Sequence, residues 1–176
     1  MWSAKGRWTR LRTESRTFRT AAIGVLCALA VALSFLESLL PPLPVPGAKW
    51  GLSNLATMTA LPLFGLPGAL AVTVVKAGFA FFRGGASGWM SLAGGLFSTL
   101  LMAAVWRFSS RNVSFFGIGV VGAVAHNMGQ LAAAMLLFSP ALIWYAPWLL
   151  LTGAVAGCIT GLTVKILFPL LQRHIP

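Results

Sequence analysis

The sequence predicts an all-α integral membrane protein of about six transmembrane helices, on three observations. Hydrophobic residues fill 58% of the 176 positions, and the mean hydropathy is +0.87. The chain carries two carboxylates, Glu14 and Glu37, and no aspartate at all. Apolar runs long enough to cross a bilayer recur along its length, and such runs of about 18 residues or more read as spanning helices. A soluble domain keeps a mixed-charge surface towards water, which this composition cannot supply. Barrel strands alternate apolar and polar residues; these segments do not.

The elements follow in order. A first helix is expected over about Thr20–Leu40, ended by Pro41-Pro42-Leu43-Pro44-Val45-Pro46-Gly47. Prolines fix their own φ and bias the preceding residue away from helix, so this connection is stiff and extended. Between Trp50 and Phe82 there is room for two short helices, about 15 residues each, broken near Leu61-Pro62-Leu63-Phe64-Gly65-Leu66-Pro67-Gly68. They form either two thin spans or a re-entrant hairpin. A fourth helix is expected over Gly88–Trp106, a fifth over Phe115–Phe138 and a sixth over Ala141–Leu167. The chain thus divides into a basic arm (residues 1–19), a six-helix domain (20–168) and a short tail (169–176).

The net charge of +11 is concentrated at one end. Lys5, Arg7, Arg10, Arg12, Arg16 and Arg19 precede the first apolar run and are interleaved with Trp2, Trp8 and Phe18. A basic, aromatic stretch beside a membrane span meets anionic lipid headgroups and fixes orientation, so nucleic acid is not the expected partner. With Arg107, Arg111 and Arg173 on the same side, the positive-inside rule places both termini in the cytoplasm. The expected location is the inner or plasma membrane, crossed several times. The run Ala21–Leu40 is too long for the core of a cleaved signal. Cys27 and Cys158 lie inside apolar helices and read as small packing residues.

Intramembrane polar residues mark functional sites, and here they gather towards one leaflet. Glu37 falls near the outer end of the first helix. Lys49, Trp50 and Asn54 open the second, and Arg83 closes the third with Lys76 deeper inside. On the fifth helix His126 and Gln130 share a face, with Asn127 beside them. Each has a plain structural reading as well. Lys49 and Arg83 can be snorkelling interfacial cations, Trp50 a belt residue, and the helix-five trio interhelical hydrogen-bond donors and acceptors. Glu37 can simply pair with Lys76 or Arg83. Taken together, an outward-open pocket for a solute of anionic character accounts for the whole set, with Trp50 and Tyr145 available to stack on a ring.

Small residues repeat every fourth position at Gly24, Ala28 and Ala32 and again at Gly153, Gly157 and Gly161. Such stripes let helices approach closely, either within the bundle or against a partner. Gly117-Ile118-Gly119-Val120-Val121-Gly122 matches the dinucleotide fingerprint in letters only, since no strand precedes it and no acidic residue follows.

Two stretches carry a family resemblance: Pro46-Gly47-Ala48-Lys49-Trp50-Gly51-Leu52-Ser53-Asn54-Leu55-Ala56 and Gly122-Ala123-Val124-Ala125-His126-Asn127-Met128-Gly129-Gln130-Leu131. Both resemble the Gx transporter family, also called heptaprenyl diphosphate synthase component I, over about Thr20–Leu167. That family is similar to the substrate-capture (S) components of energy-coupling factor transporters. The resemblance implies a six-helix bundle that takes a vitamin-like solute from outside. It implies partners too, a transmembrane coupling subunit and two ATPases, the former docking on the first-helix stripe Gly24, Ala28 and Ala32. The synthase name implies a different role, a membrane accessory protein of menaquinone, polyprenyl diphosphate or electron-transfer metabolism. Prenyl-chain elongation needs aspartate-rich motifs to hold magnesium, and a chain without aspartate is not expected to be that enzyme. No Walker A motif is present, so ATP hydrolysis would belong to a partner. No cofactor or metal is expected.

Overall fold

The structure is a computed structural model that describes residues 16–41, 51–108 and 114–174, with backbone alone for 172–174. The proline-rich connection, Lys49, Trp50, Arg111 and most of the basic arm lie outside the described residues. Among the described residues, five helical stretches are long and apolar enough to cross a membrane. They are α1 (Arg16–Leu39), α2 (Asn54–Phe82), α3 (Gly85–Phe108), α4 (Phe115–Leu137) and α5 (Ala146–His174). A short 3-10 helix, Pro140–Tyr145, precedes α5. The chain is a multi-pass membrane protein.

Helix α2 is two helices folded against each other. Gly65 sits at φ 72° and ψ −170°, a conformation that non-glycine residues avoid. Pro67 disfavours helix at Leu66 just before it. In a straight helix Asn54 and Lys76 would stand about 33 Å apart. Instead, their side chains are hydrogen bonded at 2.9 Å. Residues 54–64 (α2a) therefore run antiparallel to residues 66–82 (α2b), and the break falls within the predicted Leu61–Gly68 stretch. The halves are unequal, about 16 Å and 25 Å long. Alanine at Gly65 is expected to lower stability by about 1–3 kcal/mol, because its Cβ disfavours this backbone. Thermal melts of the solubilised Gly65→Ala protein measure that loss, and an unchanged midpoint would show that the turn can relax into an ordinary conformation.

The order of packing follows from cross-helix contacts. Thr73 meets Thr99, and Phe81 meets Trp89, so α2b and α3 are antiparallel. Ser98 bonds the Gly122 carbonyl, joining α3 to α4. Asn127 bonds the Leu149 carbonyl, joining α4 to α5. With α2 counted as two runs, six helical runs follow one another along the described chain. Helix α1 begins four residues earlier than the expected Thr20, drawing Arg16 and Arg19 out of the arm and into the helix. The expected sixth helix is split: Ser139 caps a 3-10 turn by accepting from the Ala141 N–H, and α5 restarts at Ala146. Pro147 suits that restart, since the first turn of a helix needs no N–H there.

The bundle is inside-out by soluble standards. Val25, Phe82, Leu136 and Ile166 are exposed, whereas Asn54, Lys76, His126, Asn127 and Gln130 are buried. Trp89, Trp144 and Trp148 stand exposed. Apolar side chains facing lipid cost nothing, and buried polar groups must find partners inside. Most deeply placed is α2a. From Ala56 to Phe64 every residue is buried.

Candidate functional site

The site is built around α2a. Its first residue, Asn54, and Lys76 on α2b each lie 11 positions from Gly65, so the turn brings them level. The Lys76 ammonium, 2% exposed, donates to the Asn54 Oδ1. One turn further along α2a stands Thr57, 3% exposed, whose hydroxyl has no hydrogen-bond partner among the described residues. On the α3 side of α2b, Thr73 and Thr99 share a hydrogen bond of 2.8 Å. Gly95 leaves room for Thr73, since a Cβ there would lie 2.7 Å from the threonine methyl. The adjacent Gly94 makes the same allowance for Gln130 and His126 of α4. The glycine pair of α3 thus separates Lys76's helix from the His126–Gln130 face and lets both sink into the interior.

Three expected site residues take other positions. The sequence offered Glu37 as a partner for Lys76 or Arg83; its carboxylate is turned to the segment leading into α2a. It accepts from the Leu52 backbone N–H at 2.6 Å and from the Ser53 hydroxyl at 2.9 Å. The physical reason is that Leu52 and Ser53 form the turn leading into α2a, so the carboxylate sits near the positive dipole end of that half-helix. Arg83 bonds the Ser34 carbonyl of α1 at 3.4 Å and lies over the Phe79 ring. It ties α2b to α1 and does not join Lys76. Asn127 faces α5, donating to the Leu149 carbonyl at 2.9 Å. Lys49 and Trp50 lie outside the described residues, and Tyr145 packs with Leu131 and Leu149.

The two small-residue stripes have opposite surroundings. On α5, Gly157 meets the Gly119–Val120 backbone of α4, Gly161 meets Phe115 and Phe116, and Gly153 meets Asn127. That stripe packs inside the bundle. On α1, Gly24, Ala28 and Ala32 are exposed, and a Cβ at Gly24 would meet nothing within 4 Å. Ala28 and Ala32 line an open apolar groove of about 530 Å³ with Cys27, Val31, Phe35, Val75 and Phe79.

Sequence reasoning missed Thr57, Ser53 and Arg19. The first was signalled by its i, i+3 spacing from Asn54. Ser53 donates its hydroxyl to Glu37 and Arg19 its guanidinium to the Phe64 carbonyl, contacts that only the fold reveals.

Over residues 26–167 the sequence matches the family described as heptaprenyl diphosphate synthase component I. The chain belongs to that family. The match spans α1 from Leu26 through α5 to Leu167, and so contains all of α2a and the buried polar residues around it. No curated protein and no solved structure gives a significant match.

Proposed function

We propose that this member of the heptaprenyl diphosphate synthase component I family is a membrane subunit that captures a small solute of anionic character. The observation that carries this reading is the buried Lys76 ammonium, set against Asn54 at the start of a broken helix while Glu37 is engaged elsewhere. Broken helices within a membrane bundle build solute sites, because their ends present polar groups at depth. Lys76 supplies the charge and Asn54 and Thr57 the hydrogen bonds, while His126 and Gln130 stand on the other side of the Gly94–Gly95 pair of α3. In this reading both termini are cytoplasmic. Import is completed by an energising module of the energy-coupling factor type, docked on the exposed Gly24–Ala28–Ala32 face. The chain itself is no enzyme.

Small molecules that co-purify with the full chain, identified by mass spectrometry, test the reading. The wild type is expected to carry an anionic solute that folded Lys76→Met protein has lost, because removing a charged hydrogen-bond partner costs about 1.5–3 kcal/mol, roughly 10- to 150-fold in affinity. The same profile from both proteins would sink it.

The family description favours a second reading, a non-catalytic membrane component beside a polyprenyl diphosphate synthase. Magnesium and diphosphate chemistry would then rest wholly with the partner, since this chain has no aspartate. Co-purification of a soluble prenyl synthase with the wild-type protein, and not of a coupling subunit, would select it.

A further inference from the structure

Arg19 and Glu37 are 18 residues apart on α1. At about 3.6 residues per turn that is five whole turns, so both stand on one face of the helix. Between them lies α2a, running the opposite way. Just ahead of its start, the Leu52 N–H and Ser53 hydroxyl donate to the Glu37 carboxylate. At its end, the Phe64 carbonyl accepts from the Arg19 guanidinium at 3.1 Å. Helix starts present unbonded N–H groups and positive charge; helix ends present unbonded carbonyls and negative charge. Each charge of α1 therefore has the sign that the facing end of α2a requires. Were α2a to run parallel to α1, both contacts would be repulsive. Arg19 is exposed and Glu37 half-buried, so each contact is partly screened, and it is the pairing of both ends that gives the match its force.

We infer that Arg19 and Glu37 are positioning residues: together they grip the two ends of α2a and fix its height along α1, and so set Asn54 level with Lys76. The geometry of the grip stands alone; its bearing on ligand capture rests on the solute-site reading. Ala28 lies nine residues from each charge, which places it about 180° round the helix. One face of α1 thus holds the half-helix, while the opposite face carries the exposed small-residue stripe.

Amide hydrogen exchange with mass spectrometry, on the solubilised full chain without added solute, tests the grip. Glu37→Gln and Arg19→Met are each expected to speed exchange across residues 52–64 by about tenfold, with peptides of α4 unchanged. Labelling of Lys76 by an amine-reactive reagent should rise with it, and Glu37→Asp should restore most of the protection, which a mere volume effect would not do. If Glu37→Gln does not fold, Ser53→Ala and Arg19→Met carry the same test. Unchanged exchange over residues 52–64, or an equal rise throughout α4, would overturn the inference. Since no solute enters the measurement, its result and the fate of the solute-site reading are separable.

Discussion

Gly157→Ala is expected to destabilise the solubilised protein by about 1–3 kcal/mol, and Gly157→Val by more. The alanine Cβ would lie 2.5 Å from the Val120 Cα and 2.6 Å from the Gly119 carbonyl oxygen. Both obstacles are backbone, so α4 and α5 must move apart, and the neighbouring Asn127–Leu149 bond would stretch with them. Gly24→Ala is the matched control, because its new methyl meets nothing and even gains helix propensity. Ala28→Trp extends the comparison: on an exposed position it should leave the melting midpoint nearly unchanged, yet abolish co-purification of a docked partner. Thermal melts in detergent measure all three. Equal losses at Gly157 and Gly24 would show that the stripes do not differ in role.

Asn54→Ala is expected to cost about 1.5–3 kcal/mol, the scale for removing a hydrogen bond to a buried charge. The loss should be larger than for Lys76→Met, which removes the charge together with its need for a partner. The double variant should then be no less stable than Asn54→Ala alone, a non-additivity that direct contact produces. Glu37→Gln combined with Lys76→Met should be additive instead, since the two residues serve different groups. Additivity for Asn54 and Lys76 in unfolding measurements would remove that contact from the account of the site.

Membrane character and helix order were legible because lipid imposes long apolar runs and tolerates few charges. The break at Gly65 was legible from its flanking prolines, and the polar residues of α4 from their spacing. The role of Glu37 was not. An intramembrane carboxylate invites pairing with the nearest cation, and sequence shows cations but not unbonded backbone amides. That Leu52 would present one to Glu37 depends on α2a lying antiparallel to α1, which is a fact of packing. The two small-residue stripes illustrate the same limit. Their letters are nearly alike, yet only position in the bundle decides that one is covered by α4 and the other left bare.

The buried half-helix also constrains how the protein is made. Synthesis proceeds from the N-terminus, so α1, α2a and α2b leave the ribosome long before α5. Yet Gly51, just ahead of α2a, lies beside α5, near the far end of the chain: a Cβ there would meet Ala156 and Thr160. Until that last helix arrives, one flank of α2a faces lipid, with Ser53, Asn54 and Thr57 at its start. A segment of this kind cannot settle in the bilayer by itself; it is held meanwhile by its charged ends on α1 and its turn into α2b. Biogenesis of the site is therefore complete only with the closing helix, and chains truncated before Ala156 should be recognised as unfinished by membrane quality control.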